Sequence, residues 1–333
     1  MKKIYDIAEI PQYVDMAERF LFPYSGLNYL LNGGVLDRVT MITSGTDNGK
    51  SSLCSDIVKS IIEQGYKVCA FFGEDTPRES RERIYRQATV YSPENIIYKP
   101  YVANGKQTNC GEYFLSDEAY RKAEEKFSGK LFFYNTKANA SVDEILSGFE
   151  EARQQHGCRV FVIDNVEQFE FSSDNENKAI KDIVIKIRDY AINNKVHIFL
   201  VAHLRKTERD VILPDLNDVK GTSAMVNIAK NVLIVLRMDK IDHETKQYKM
   251  LKKLVELNNY NLDDADCLIK VAKTKGRKLG FVCLKFNRIT NSYYECKKIN
   301  DKKDDDEKSI LFASRLPIAE LAPIEDDDME LPF

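Results

Sequence analysis

The sequence predicts an α/β fold, a mostly parallel twisted sheet with helices on both faces and a C-terminal β-hairpin. Three observations carry this expectation. Short runs rich in Val, Ile and Phe alternate with helical stretches through the middle of the 333-residue chain, the order that a parallel sheet with crossover helices requires. Two of the helical stretches open with capping boxes, Thr76-Pro77-Arg78-Glu79 and Ser141-Val142-Asp143-Glu144. Between the first strand and the first helix lies a loop that holds two glycines, a lysine and two serines, Ser44–Ser51.

Each element follows in order. Arg38–Thr43 reads as a strand, and residues 51–64 as a helix with Leu53, Ile57 and Ile61 on one face, ended by Gly65. Val68–Phe72 is the second strand and Leu131–Tyr134 the third. Val160–Ile163 is nearly all apolar and is therefore expected in the interior of the sheet. Lys178–Asn193 keeps Ile180, Ile183, Val184 and Ile187 on one helical face. His197–Ala202, Val232–Arg237, Leu268–Lys273 and Phe281–Phe286 complete a sheet of about eight strands, the last two forming a hairpin around Gly276 and Gly280.

Composition limits the function classes. Apolar residues make up 43% and charged residues 30% of the chain, and no run approaches the roughly 18 apolar residues of a membrane span. The expectation is a cytoplasmic protein without a membrane partner. Seven scattered cysteines with no C-x-x-C pair argue against a disulfide framework or a zinc ribbon and for free thiols. Residues 301–333 hold eleven acids and four bases, which leaves the first 300 residues at about +4. A mildly basic body with an acidic tail is compatible with nucleic-acid binding. The expected organisation is an N-terminal linker or oligomerisation segment over 1–34, a motor domain over 35–300 and an acidic disordered tail over 301–333.

The loop Ser44-Gly45-Thr46-Asp47-Asn48-Gly49-Lys50-Ser51 has the spacing of a phosphate-binding P-loop whose first glycine is replaced by serine. Its strand–loop–helix setting points backbone N–H groups and a helix N-terminus at phosphates. Lys50 is placed to reach the β- and γ-phosphates, Ser51 to bind Mg²⁺, and Ser52 extends the loop. Asp164 ends an apolar strand, where a carboxylate holds Mg²⁺ through its water shell. Glu74 lies just past the second strand and is the expected general base, with Asp75 beside it as a competitor. His203 ends a further apolar strand, where it can sense the γ-phosphate or simply be structural.

Taken together, these segments resemble the C-terminal motor domain of DnaB-family replicative helicases, closest to the Twinkle and phage primase-helicase branch. The resemblance spans residues 22–295 and rests on Ser44–Ser51, Phe72-Gly73-Glu74, Ile163-Asp164-Asn165-Val166, Leu200–Lys206, the stretch from Asp218 into Leu236, and the closing pair 271–275 and 284–287. It implies a RecA-like P-loop fold and an ATP- and Mg²⁺-dependent DNA helicase. It further implies a ring, commonly a hexamer, moving 5′–3′ on single-stranded DNA in a bacterial or phage-infected cell. By the same resemblance His203 becomes the phosphate sensor, and Lys273 and Phe286 join the nucleotide set, Phe286 on the adenine. The family's Lys-x-Arg carries an arginine finger for the neighbouring subunit. Here the motif is Lys273-Thr274-Lys275, so either Lys275 or Arg277 takes that role, or hydrolysis is slow. Glu167 stands where many relatives have glutamine.

Arg205, Lys206 and Arg209 after His203, and Lys220 on the next loop, are the expected DNA contacts. A primase is expected as a separate protein, and Ile7, Ile10, Tyr13 and Val14 as a docking face for a neighbouring subunit. The terminus Glu325–Phe333 resembles the acidic tip of single-strand-binding proteins and suits a basic pocket, for example on a DNA polymerase. Two other readings compete with the helicase: a RecA- or KaiC-like DNA-binding ATPase that does not unwind, and an assembly factor whose ATPase has decayed.

Overall fold

The computed structural model describes residues 18–45, 48–103, 106–134, 140–169, 176–205, 213–220, 223–261, 265–275 and 278–298. In chain order the strands are β1 (Arg19–Phe20), β2 (Gly34–Val35), β3 (Val39–Ser44), β4 (Val68–Phe72), β5 (Ile96–Ala103), β6 (Lys106–Leu115), β7 (Leu131–Phe133), β8 (Val160–Asp164), β9 (His197–His203), β10 (Asn231–Arg237), β11 (Cys267–Lys273), β12 (Gly280–Asn287) and β13 (Ser292–Glu295). The helices are α1 (Ser25–Leu31), α2 (Lys50–Glu63), α3 (Pro77–Gln87), α4 (Asp117–Phe127), α5 (Val142–His156), α6 (Glu176–Asn194), α7 (Ser223–Ile228) and α8 (Lys246–Leu257).

Nine strands form the main sheet in the order β13-β12-β11-β10-β3-β9-β8-β4-β7. From β10 to β7 neighbouring strands run parallel, and β11, β12 and β13 add antiparallel pairs at the other edge. The strands β3, β8, β9 and β4 are flanked on both sides and almost wholly buried, and β4, β8 and β9 are mostly apolar, as two buried faces demand.

Side chains alternate between two apolar clusters. Along β8, Val160 and Val162 join one cluster while Phe161 and Ile163 join the other; along β9, Phe199 and Val201 oppose Ile198, Leu200 and Ala202. The first cluster takes residues from α1, α2, α3 and α4, the second from α5, α6, α7 and α8. Both expected capping boxes form, with Pro77 opening α3. Gly157 ends α5 in the left-handed conformation.

Four features differ from the sequence expectation. The described part of the segment read as a linker is built into the fold. Phe20, Phe22, Tyr24, Leu27, Leu30 and Leu31 are buried in the α1–α4 cluster, and Tyr24 donates to the buried Asp56 at 3.1 Å. A ninth strand, β13, pairs with β12, and its Glu295 accepts from the backbone N–H groups of Ser25 and Gly26 at 2.6 and 2.8 Å. β5 and β6 form a separate antiparallel hairpin. Finally, α8 packs Leu251 and Val255 into the α5–α8 cluster between β10 and β11. Residues 7, 10, 13 and 14 and the tail from 301 lie outside the described residues. Among the described residues no helix is long and apolar enough to cross a membrane. All the described cysteines are free; Cys110 is exposed and the others are buried.

Candidate functional site

An open cleft of about 1210 Å³ lies along the carboxyl ends of the parallel strands, the edge where open α/β sheets place ligands. β3 runs into the loop that ends at Gly49, and α2 begins at Lys50. Gly49 has φ +75°, and a Cβ there would collide with the Tyr293 hydroxyl. Conformation and space therefore both demand glycine. Asn48, Gly49, Lys50, Ser51 and Ser52 line the cleft, and Ser44 and Gly45 lie behind them. Thr46 and Asp47 lie outside the described residues.

Lys50 is only 6% exposed. Its ammonium donates to Ser44 Oγ at 3.3 Å and Gly45 O at 3.0 Å, and lies 3.1 Å from His203 Nδ1. Asp164, at the end of β8, is 3% exposed. Burial raises its carboxyl above the usual range, against a hydrogen bond from Ser51 and the positive charges of Arg83 and Lys50. A hydroxyl hydrogen-bonded to a buried carboxylate, both oxygen ligands beside a phosphate loop, fits Mg²⁺, which prefers few protein ligands plus phosphate oxygens and water.

The two neighbouring acids after β4 go to different places. Asp75 is committed to Arg83 at 2.6 Å, and Arg83 also donates to Ser55 at 2.9 Å. The Glu74 carboxylate is half exposed in the cleft, accepting from Asn165 Nδ2 at 2.6 Å, with His203 Nε2 at 3.3 Å. Of the two, Glu74 is the one that meets Asn165 and His203. His203 joins the cleft through its contacts with Lys50 and Glu74.

The other end of the cleft is formed by β12 and its neighbours. Phe286 lines the cleft, with the Arg237 guanidinium 4.2 Å from its ring centroid. Arg237 is held by Asp239 through bonds of 2.7 and 2.6 Å. Sequence reasoning placed Arg237 at a strand end without a role; its signal was a lone arginine closing an apolar strand. Asn165 and Arg83 were likewise missed.

Lys273 is held away from the cleft in this chain. Its ammonium donates to the carbonyls of Val226, Asn227 and Ala229 at 2.6, 3.0 and 2.8 Å. It satisfies the carboxyl-terminal carbonyls of α7 and does not line the cleft of its own chain. Lys275 is exposed and also stands outside that cleft. Arg277 lies outside the described residues, as do Lys206 and Arg209.

The other expected DNA contacts converge. Leu204 bridges Val219, Arg205 N donates to Asp218 O at 2.7 Å, and Lys220 N donates to His203 O at 2.8 Å. Arg205 and Lys220 both line the cleft. The Lys220 ammonium is paired with Glu167 at 2.6 Å, so the residue that departs from the usual glutamine has a charged partner here.

Among curated proteins the chain is similar to a DNA helicase/primase of Enterobacteria phage T3, 22% identical over 220 residues that make up 64% of this chain and 37% of the relative. The chain thus spans little more than a third of that relative's length. Among solved structures it is similar to one described as an ATPase domain, with a TM-score of 0.61, 16% identity and coverage of 80% of this chain and 88% of the other. A DnaB-like replicative helicase whose interactions with primase were determined gives 0.62, 17%, 81% and 62%. A KaiC-like protein from Pyrococcus horikoshii OT3 gives 0.53, 13%, 84% and 99%. At such identities the structures speak for a shared RecA-like fold. The sequence model described as DnaB-like helicase C terminal domain matches residues 23–295, and the chain belongs to that family.

Proposed function

We propose that this chain is the motor of a replicative DNA helicase, hydrolysing ATP with Mg²⁺ to move 5′–3′ on single-stranded DNA as a ring, most simply a hexamer. The observation that carries the proposal is the convergence of Lys50, the Ser51–Asp164 pair, Glu74 and His203 in one cleft. In this reading Lys50 neutralises the β- and γ-phosphates, and Ser51 and Asp164 hold Mg²⁺, whose bound charge offsets that of the transferred phosphoryl group. Glu74 takes the proton of the attacking water, and His203 senses the γ-phosphate. Phe286 and Arg237 offer a stacking surface to the base.

Lys275 or Arg277 serves as the finger for a neighbouring copy, an assignment that the exposure of Lys275 outside its own cleft supports. Arg205, Lys206, Arg209 and Lys220 grip DNA phosphates. Binding would therefore weaken steeply with salt and would draw Lys220 from Glu167. A primase and, through the acidic tail, a DNA polymerase are the proposed protein partners. A cytoplasmic site of action in a bacterial or phage-infected cell goes with them.

The test is strand separation on forked DNA with ATP and Mg²⁺, with Lys50→Ala as control. Unwinding that is lost in the variant supports the proposal. DNA-stimulated hydrolysis without strand separation would shift the reading to a RecA- or KaiC-like ATPase. Absence of both activities overturns the helicase reading for this chain.

A further inference from the structure

We propose that Asn165 is a positioning residue for hydrolysis, its carboxamide serving as the fixed support that holds Glu74 for the attacking water. The proposal rests on the reading of the cleft as an ATPase site and deepens it. Asn165 directly follows Asp164 and is 1% exposed. Its Oδ1 accepts from the backbone N–H of Glu167 at 2.9 Å. That bond fixes which end of the amide is which, so Nδ2, a donor, faces Glu74.

Two donors converge on one oxygen of Glu74. Asn165 Nδ2 lies 2.6 Å from Oε1, and His203 Nε2 lies 3.3 Å from the same atom. The ring nitrogens can be assigned. Lys50 is an obligate donor 3.1 Å from Nδ1, so Nδ1 accepts and Nε2 carries the proton that goes to Glu74. The 3.0 Å approach of Asn165 Nδ2 to His203 Nε2 is then two donors sharing one acceptor. Glu74 Oε2 is left for water.

The two supports differ in permanence. His203 also touches Lys50, the group that must swing to an incoming γ-phosphate, so its contact with Glu74 changes when nucleotide binds. Asn165 is pinned by the turn after β8 and has no such competitor. The side chain of Glu74 is half exposed, and without a fixed donor it would spread over several rotamers. Asn165 thus keeps the base in place while His203 reports on the phosphate.

Asparagine offers a clean test because aspartate is its near-isostere. Asn165→Asp keeps the oxygen that accepts from Glu167 and removes the donor to Glu74, whereas Asn165→Ala removes both. The full chain would be assayed with ATP, Mg²⁺ and single-stranded DNA, alongside binding of a non-hydrolysable ATP analogue and thermal melting. Both variants should lose about 10- to 100-fold in kcat with KM for ATP held within about threefold, the pattern of a misplaced reacting group. In a Glu74→Gln background, Asn165→Asp should cause no further loss, since the two act through one carboxylate. Wild-type rates in Asn165→Asp with loss only in Asn165→Ala would reduce Asn165 to a turn-forming residue and overturn the proposal. A further drop in the Glu74→Gln background would overturn it as well. Wild-type chain that hydrolyses no ATP overturns the functional reading and this assignment together, whereas a fully active Asn165→Asp variant of an active enzyme overturns the assignment alone.

Discussion

The strand β9 begins and ends with a histidine, and the two ends of the sheet use that side chain in opposite ways. His197 is fully buried, its Nδ1 2.7 Å from the carbonyl of Val35, and its ring lies edge-on to Phe20 and close to Phe199. Burial pushes its pKa down to about 4, against the hydrogen bond to Val35, so the ring is neutral and structural. His203, six residues on, stands among Lys50, Asn165 and Glu74 in an open cleft. The difference teaches that a histidine's role follows from what faces it. At the amino end of the strands, the aromatic residues of 18–34 exclude water; at the carboxyl end, loops bring charges together.

Substitutions of the groups that meet at His203 should move rates and leave stability alone, and substitutions around His197 should do the reverse. The largest expected effect is on Glu74. Glu74→Gln should lower kcat for ATP about 10²- to 10⁴-fold, the range for loss of a general base. Asp75→Asn, which breaks only the pair with Arg83, should leave kcat within about threefold and lower stability by about 1 kcal/mol. Steady-state hydrolysis and urea unfolding of both variants measure this; equal kinetic losses would break the distinction between the two acids.

Next come the histidines themselves. His203→Ala should reduce DNA-stimulated hydrolysis about 10- to 100-fold with little change in unfolding free energy. His197→Ala should leave hydrolysis intact and cost about 2–4 kcal/mol, through a cavity and an orphaned carbonyl. A kinetic defect in His197→Ala at a temperature where it stays folded would erase the contrast.

The pH dependence sharpens it. His197 has a folded-state pKa depressed from 6.5 to about 4. Its contribution is therefore complete above about 6.5 and is lost as pH falls through 4. The loss is about 3 kcal/mol, to be measured as the difference between wild type and His197→Leu in urea at pH 7 and pH 4. The smallest effect concerns Asp164, whose carboxyl is raised chiefly by burial. A raised carboxylate favours the fold at low pH and opposes it as pH rises. Without nucleotide and Mg²⁺, Asp164→Asn should thus melt higher than wild type at pH 8, and nearly level with it only below the ordinary aspartate pKa of about 3.9. A variant that melts lower at pH 8 would show the charge to be compensated.

Much of the fold was legible because burial on two faces writes itself into local sequence. β4, β8, β9 and β10 are short runs dominated by Val, Ile, Phe and Leu, and the capping boxes of α3 and α5 mark their own starts. β13 was not legible: Ser-Tyr-Tyr-Glu has no apolar run, and its tyrosines gain a strand only by pairing with β12. In the β5–β6 hairpin, β5 carries Pro100 and β6 opens on the polar run Lys106–Asn109, which weakens any strand signal. α8 does carry a helical period in Tyr248, Leu251 and Val255, but its lysines masked it.

The site divides in the same way. Lys50, Ser51, Asp164 and Glu74 were found because each sits at a fixed offset from a strand end, which places it at the cleft whatever the rest of the chain does. The contacts of Lys273 were not legible because its surroundings are set by α7, more than 40 residues away in sequence. Asn165 passed unnoticed because its partners, Glu74 and His203, lie 91 and 38 positions away.

By itself, then, the sequence determined the parallel sheet, the phosphate loop and the edge at which ligands bind. These depend on backbone conformation and on apolar periodicity, both of which are local. Only the tertiary structure decided that Asp75 pairs with Arg83 while Glu74 meets Asn165 and His203, that Lys273 turns to α7, and that the apolar residues between 20 and 31 join the core. Those choices depend on which polar tips from distant loops come within hydrogen-bond reach, and a bond effective at about 3 Å leaves no periodic trace along the chain.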